Sequence, residues 1–95
     1  MVFKGEILDK LFSRVLRVTG ISRREILAQI KERRVIEARF TLMLALRKRG
    51  LSTPTIGDML NRDHSTVLSG LRRARDRYDS DPVFRAIVDE VMRDD

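Results

Sequence analysis

Hydrophobic residues recur every three or four positions along most of the chain, and no segment shows the strict alternation that is typical of a strand. This periodicity predicts six helical segments, at about residues 4–18, 22–30, 35–49, 53–60, 63–78 and 82–92. The apolar positions that the helical spacing turns inward are, segment by segment, Val2, Phe3, Ile7, Leu8, Leu11, Phe12, Val15 and Leu16; Ile26, Leu27 and Ile30; Val35, Ala38, Leu42, Met43, Ala45 and Leu46; Ile56, Met59 and Leu60; Val67, Leu68 and Leu71; and Val83, Phe84, Ile87, Val88, Val91 and Met92. We therefore expect an all-α fold, a compact bundle of about six helices that forms one domain over residues 1–95.

Residues typical of helix ends mark most boundaries between these segments. Gly20 and Gly50 follow the first and third segments, as a C-terminal glycine often does. The charged run at residues 31–34 is expected to form a break or turn, and residues 61–62 a tight turn. The predicted N-cap residues are Ser22, which has capping-box spacing to Glu25, then Thr53 and Asp81, which each precede a proline, and Asp63.

The charged residues are unevenly distributed along the chain. Its formal net charge is +6, yet residues 14–77 hold 16 Lys/Arg against 6 Asp/Glu, whereas residues 78–95 hold 2 against 6. A basic central segment with an acidic end indicates one surface that faces a polyanion. Of the 20 basic residues 16 are arginine, whose forked guanidinium suits phosphate and guanine. Charge alone leaves open the alternative of a merely solvated basic surface.

Several classes of protein do not fit this composition. The chain has no Cys, which excludes disulfide frameworks and thiolate metal sites, and a single His is too few for a histidine zinc site. No apolar run approaches the roughly 18 residues of a membrane span, and residues 1–20 lack the apolar core of a signal peptide. We therefore expect a cytoplasmic protein without cofactor, metal or membrane association.

Residues 53–78 have the layout of a helix-turn-helix, a short helix followed by a tight turn and a longer helix. Gly57 has no side chain, so the two helices can approach closely. The N-terminal end of the second helix, which enters the major groove in this motif, carries the small polar residues Asp63, His64, Ser65 and Thr66. The exposed N–H groups of such a terminus suit a phosphate. Arg62 can reach the DNA backbone, and Arg72 and Arg73 lie further along the same helix.

The sequence around this motif resembles the C-terminal DNA-binding domain of the bacterial replication initiator DnaA. The resemblance is carried by Ile-Gly-Asp at residues 56–58 and by Arg-Asp-His-Ser-Thr-Val at residues 62–67, and it extends over roughly residues 21–92. Arg39 and Met43 fall where members of that family often carry Arg and Met. The resemblance implies sequence-specific binding of double-stranded DNA, with a DnaA-box-like duplex as the expected site, in replication initiation or its regulation, or in transcription.

The resemblance also implies which residues contact DNA. In that family an arginine of a basic loop enters the minor groove, and its best match here is Arg33, with Arg34 as the alternate. The segment at residues 63–66 would read bases and phosphates in the adjacent major groove, where a carboxylate can accept from a cytosine amino group. An arginine is favoured electrostatically in a narrow A·T minor groove. The complete set of expected DNA contacts is Lys31, Arg33, Arg34, Arg62, Asp63, His64, Ser65, Thr66, Arg72 and Arg73.

Three features depart from the family pattern. The turn Leu60-Asn61-Arg62 is one residue shorter than the Phe-Gly-Gly-Arg common there, and Ser65 replaces a frequent Thr. The phosphate-binding motif Gly-x-x-x-x-Gly-Lys-Ser/Thr of the initiator's ATPase domain does not occur, so we expect no ATP binding. We expect a free-standing domain, with a fragment of a larger initiator as the alternative.

Other interpretations of the same residues remain open from the sequence. Asp63 can be only an N-cap, residues 31–34 only a charged surface turn, and Arg39 an intrahelical partner of Glu32 or Glu37. A catalytic role for His64 fails because neighbouring residues on a helix point about 100° apart, so we expect no enzyme activity. The alternative function is a protein-interaction module with vestigial DNA binding, whose acidic C-terminal end contacts a replication or transcription protein.

Overall fold

The computed structural model describes residues 4–93, and within these residues it contains six helices and no strand. The helices are α1 Lys4–Thr19, α2 Arg23–Leu27, α3 Arg33–Lys48, α4 Thr53–Leu60, α5 His64–Ser80 and α6 Pro82–Met92. The all-α bundle expected from the periodicity is confirmed. Val2 and Phe3, which were expected in the core, lie outside the described residues.

The local chemistry of the helix ends agrees with most of the predicted boundaries. Ser22 and Glu25 form a reciprocal capping box, in which the Ser22 Oγ accepts from the Glu25 N–H at 3.2 Å and Glu25 Oε1 accepts from the Ser22 N–H at 2.9 Å. Asp63 and Asp81 cap α5 and α6. The prediction for α4 is wrong by one residue, because the Ser52 hydroxyl caps the helix instead of Thr53 and Pro54 is its second residue. Proline fits there because the first N–H groups of a helix need no intrahelical partner.

The start of α3 differs from the expected turn at residues 31–34. The helix begins at Arg33 and follows Glu32, whose side chain makes no capping hydrogen bond. Arginine is a good helix former, and the Arg33 Nε lies 3.5 Å from Glu37 Oε2 one turn along the helix. The connection between α2 and α3, named the α2–α3 loop, therefore consists of residues 28–32.

The core surrounds α3, which packs against each of the other five helices. All six positions of α3 that were expected inside are buried, namely Val35, Ala38, Leu42, Met43, Ala45 and Leu46. The remaining helices contribute fully buried side chains such as Leu11, Ile26, Ile56 and Phe84. Burial of these apolar side chains supplies most of the driving force that holds the helices together.

Four residues expected in the core are exposed instead: Leu16, Ile30, Leu68 and Val83. Their exposed fractions are 49%, 36%, 49% and 72%, in that order. All except Ile30 directly neighbour a fully or almost fully buried residue of the same helix. Neighbouring residues on a helix point about 100° apart. When one of two apolar neighbours is buried in the bundle, the other therefore lies at the edge of the apolar stripe of that helix.

Two glycines allow α5 to lie close to its neighbours. A Cβ atom added to Gly57 would lie 2.5 Å from the carbonyl oxygen of Arg62, and one added to Gly70 would lie 2.7 Å from the sulfur of Met43. The role expected for Gly57 is confirmed. Gly70, which the sequence analysis did not identify, brings α5 onto α3.

Arginine side chains donate hydrogen bonds to backbone carbonyl oxygens at or just beyond the C-terminal end of five of the six described helices. These arginines are Arg34 at α1, Arg39 and Arg62 at α2, Arg62 at α4, Arg85 at α5 and Arg14 at α6. The last carbonyl groups of a helix have no intrahelical partner, so a cation is a suitable donor for them. Part of the positive charge of the chain therefore belongs to its scaffold.

Candidate nucleic-acid interface

The N-terminal end of α5 presents fixed polar groups to solvent. Asp63 has an extended backbone and its Oδ2 accepts from the Ser65 N–H at 3.3 Å, while the Ser65 hydroxyl donates to the same oxygen. The hydroxyl bond first, and the backbone bond with it, hold the pKa of the Asp63 carboxyl below its ordinary value. His64, Ser65 and Thr66 are all exposed. Asp63 is thus an N-cap, as one interpretation of the sequence held, and it lies at the surface beside the residues expected to read DNA.

The short turn before α5 is closed by one residue in the left-handed conformation. Asn61 has φ 55° and ψ 48°, and the Arg62 N–H donates to the Gly57 carbonyl at 2.8 Å. Asparagine tolerates this conformation better than most residues with a side chain. Asn61 therefore takes the left-handed position that a glycine would otherwise occupy, and the turn, which is shorter than the family pattern, needs no glycine.

A groove separates the start of α5 from the α2–α3 loop. Its walls bring Lys31 of the loop together with Ser65, Thr66 and Arg73 of α5. Its floor is formed by α3, where Phe40 and Met43 are buried. The full set of charged residues that line this groove is Lys31, Arg39, Arg62, Arg73 and Asp63. Four positive charges against one negative charge make it suited to a polyanion.

Arg33 and Arg34 do not belong to the α2–α3 loop, although both were expected in a basic loop. The Arg33 Nη2 lies 3.7 Å from Asp81 Oδ2 at the start of α6, and its side chain is 73% exposed. The Arg34 guanidinium donates to the Thr19 carbonyl at 2.8 Å. Lys31 is the one basic residue of the loop, and within residues 4–93 no hydrogen bond or ion pair engages its ammonium group.

Arg62 and Arg39 serve the scaffold in ways that the sequence analysis missed. Arg62, expected to reach the DNA backbone, donates to the carbonyl oxygens of Ala28 at 2.6 Å and Leu27 at 3.3 Å. Arg39, for which Glu32 or Glu37 was the expected partner, donates to Ile26 and Ala28 instead. The sequence does contain a sign of this role, since helical spacing places Arg39 beside buried positions of α3.

The two arginines expected further along α5 are exposed. Arg72 and Arg73 have no hydrogen bond or ion pair within the described part of the chain. Arg77 differs from them, because its guanidinium is 2.9 Å from Glu37 Oε2 and lies over the ring of Phe40. Of these cations, Arg73 is the one that lines the groove together with Lys31.

The opposite side of α5 faces α6 and carries mixed charges. The Tyr78 hydroxyl donates to Asp89 Oδ1 at 2.6 Å, and this bond raises the pKa of the tyrosine. Arg75 lines this side together with Asp79 and Asp89. These acidic residues thus lie away from the groove that holds Lys31.

Within residues 4–93, His, Asp and Glu side chains nowhere gather in a group of three that could hold a metal ion. None of the helices described there is both long enough and apolar enough to cross a membrane.

Comparison with known proteins supports the resemblance found in the sequence. The family model described as bacterial dnaA protein helix-turn-helix matches residues 8–74. The chromosomal replication initiator protein DnaA of Thermotoga petrophila is 31% identical over 87 residues, which are 90% of this chain and 20% of that protein. The protein of the same name from Thermotoga maritima is 29% identical with the same coverage. The chain therefore spans about a fifth of the length of the curated relatives it matches.

Proposed function

Since the chain belongs to the helix-turn-helix family of the bacterial DnaA protein, we propose that it is a DNA-binding domain that places the N-terminal end of α5 in the major groove of duplex DNA. The observation that carries the proposal is the pairing of two surfaces across one basic groove: the exposed, capped start of α5 and the exposed Lys31 of the α2–α3 loop. An α-helix fits the major groove, and a neighbouring loop can then reach the adjacent minor groove or its phosphates.

The start of α5 has suitable groups for base recognition. His64, Ser65 and Thr66 are short, exposed and held at a capped terminus, so they act only where that helix is inserted. The hydroxyl groups can bond to several base edges, and the Thr66 methyl group can contact a thymine methyl. Asp63 uses Oδ2 for the cap, and its Oδ1, which lies 4.0 Å from His64 Nδ1, can accept from a cytosine amino group.

We assign the loop contact to Lys31 and the phosphate contacts along α5 to Arg72 and Arg73. The minor-groove role expected for Arg33 stays a prediction, because its guanidinium lies near Glu37 and Asp81 but its side chain is 73% exposed. Lys31 is a compact charge carried by the α2–α3 loop, so the position of the loop decides whether it reaches a narrow A·T minor groove, where the negative potential is strongest. Sequence preference would then come from α5 at the major-groove positions and from Lys31 at an adjacent A·T segment.

The relatives are named chromosomal replication initiators, so we propose that this DNA binding serves replication initiation or its regulation in the bacterial cytoplasm. The alternative, a protein-interaction module, predicts no retention on duplex DNA at low ionic strength. Binding to labelled duplexes across a salt series separates the two. If Lys31, Arg72 and Arg73 each neutralise one phosphate, log affinity should fall with log salt at a slope of about −2.7.

Two arginines of α5 provide a matched control for this assay. Arg73 lines the groove with Lys31, whereas Arg75 faces α6 on the other side of the same helix. Arg73→Ala should lower affinity for all duplexes alike and reduce the salt slope by about one, as a phosphate contact does. Arg75→Ala should leave both unchanged. Equal effects of the two variants, or a flat salt response of the unmodified protein, would contradict the proposal.

A further inference from the structure

Two arginines from different parts of the chain converge on the C-terminal end of α2. Arg39 of α3 donates from Nε to the Ile26 carbonyl at 2.9 Å and from Nη2 to the Ala28 carbonyl at 3.0 Å. Arg62, in the turn before α5, donates from Nη2 to the same two oxygens, at 3.5 Å for Ile26 and 2.6 Å for Ala28. Both carbonyl groups therefore accept from both guanidinium groups.

This arrangement supplies what α2 lacks on its own. The helix has only five residues, far fewer than an isolated helix needs, and its last carbonyl groups have no intrahelical partner. Hydrogen bonds from a charged donor are stronger than those between neutral groups. Burial first, and then the charge of Arg62, lower the pKa of Arg39. The two guanidinium groups therefore repel each other, and the carbonyl oxygens that they share offset this repulsion.

Arg62 also connects this end of α2 to the start of α5. Its Nη1 donates to the carbonyl oxygens of Leu60 and Asn61 in the turn, and the next residue is the N-cap Asp63. Ala28 is the first residue of the α2–α3 loop, which carries Lys31. One side chain therefore bridges the backbone of the loop and the backbone that leads into α5.

We propose that Arg39 and Arg62 are positioning residues that fix the α2–α3 loop relative to the start of α5, and so set the distance between the two DNA segments that Lys31 and α5 contact. This inference rests on the proposed function. A lysine ammonium has three donors on one nitrogen atom, whereas the guanidinium of Arg62 reaches five carbonyl groups from two nitrogen atoms and that of Arg39 reaches two carbonyl groups from two nitrogen atoms. Lysine therefore keeps the charge but cannot reproduce the spread of donors that forms the bridge.

Arg62→Lys and Arg39→Lys test the inference in a selection of bound sequences from a random duplex pool. Lys31→Ala first identifies the base positions that depend on the loop. At those positions each lysine variant should lose about tenfold in preference, the loss expected when one charge-assisted hydrogen bond no longer holds the contact in place. Preference at the positions read by α5 should stay within about twofold of the unmodified protein.

Arg47→Lys is the matched control, since Arg47 also donates to a backbone carbonyl, that of Leu51 at 3.0 Å, but lies at the end of α3 away from the groove. It should leave preference unchanged at all positions. Full retention of loop preference in both test variants, or an equal loss of preference at every base position, would overturn the inference.

Hydrogen exchange without DNA separates failure of this inference from failure of the proposed function. Either test variant should raise amide exchange in residues 28–32 by about tenfold or more, while the amides of α3 and α5 keep their protection. Unchanged exchange in the loop would overturn the inference even if the protein binds DNA. If the test variants show faster exchange in the loop but the unmodified protein selects no duplex, the positioning role of the two arginines is supported and the DNA-binding proposal is rejected. A variant that lost protection in every helix would overturn the positioning role in favour of a general structural one.

Discussion

The helices α5 and α6 begin in similar ways but their first turns serve different purposes. Each starts after an aspartate with an extended backbone whose carboxylate accepts from N–H groups of the first turn. The side chain of Asp63 is 68% exposed, whereas that of Asp81 is 27% exposed. Three positions after each cap the contrast is larger, because Thr66 of α5 is exposed and Phe84 of α6 is 1% exposed.

This difference shows that a capped helix terminus is not by itself a binding site. At α6 the cap precedes Pro82 and side chains that anchor the helix in the core, and Asp81 lies beside Arg33. At α5 the cap precedes three polar side chains, and the groove next to them has an excess of positive charge. The exposed side chains of the first turn and the charge around them, together with the cap, make the start of α5 a candidate for contact with DNA.

The largest expected effect comes from truncating Phe84 and Thr66, the side chains three residues after the caps of α6 and α5. Phe84→Ala should destabilise the protein by about 3–5 kcal/mol because it empties a buried site. Thr66→Ala should change stability by less than about 0.5 kcal/mol, since the residue is on the surface. In DNA binding the order should reverse: Thr66→Ala weakens discrimination at one base position, while Phe84→Ala, measured at a temperature where it is folded, keeps it. Urea unfolding and duplex selection measure the two effects, and a loss of discrimination in Phe84→Ala alone would contradict the comparison.

An intermediate effect is expected at the tight turn of residues 61–62, which precedes α5 and has no counterpart before α6. A Cβ atom in Gly57→Ala would meet the backbone carbonyl of Arg62, which cannot rotate away, so the start of α5 must shift. We expect a loss of about 1–3 kcal/mol in stability together with weaker duplex binding. Gly5→Ala in α1 is the control, because nothing lies within 4 Å of its added Cβ and its stability should change by less than about 1 kcal/mol. Equal unfolding midpoints for the two variants would show that the close approach at Gly57 has no energetic consequence.

The smallest effect concerns the titration of the α5 cap. The hydrogen bonds from Ser65 lower the pKa of Asp63 in the folded state, so the cap stabilises the fold above the unfolded-state value of about 3.9 and loses this effect as the pH falls through the lower folded value. The carboxyl resonance of Asp63 should therefore titrate at a lower pH than that of an aspartate in the unfolded chain. Asp63→Asn should unfold at nearly the same midpoint at neutral pH, since both residues cap well, and should lack this acid transition. A titration midpoint above the ordinary value would show that the Ser65 bonds are absent in solution.

The features that the sequence predicted correctly depend on residues close together in the chain. Ser22 and Glu25 are three residues apart, and Asp63 caps an N–H group two residues away. Six buried positions of α3 could also be predicted from its period, but the burial of Phe40 and Thr41 could not, because α3 packs against all five other helices. Such local signals identified the helix-turn-helix and its exposed polar start.

The features that it missed depend on partners distant in sequence. Arg62 bonds to a carbonyl 34 residues earlier, and Arg39 to one 13 residues earlier. Whether Leu68 is buried depends on which side of α5 meets another helix, and its own spacing fits the core as well as that of Val67 does. The loop position expected for Arg33 is wrong for a different reason, because arginine is a good helix former and Arg33 lies 3.5 Å from Glu37 one turn along α3, which is a local contact.

The arginines at the helix ends have a consequence for anyone who wishes to redesign this domain. Formal charge treats all 16 arginines as equivalent, but those that hold terminal carbonyl groups are structural parts whose removal would leave polar atoms without partners. A variant with reduced non-specific binding to polyanions should be made by neutralising exposed arginines outside the groove, such as Arg17, Arg24 and Arg49. The helix-end arginines should be retained in such a version even though they contribute equally to the calculated isoelectric point.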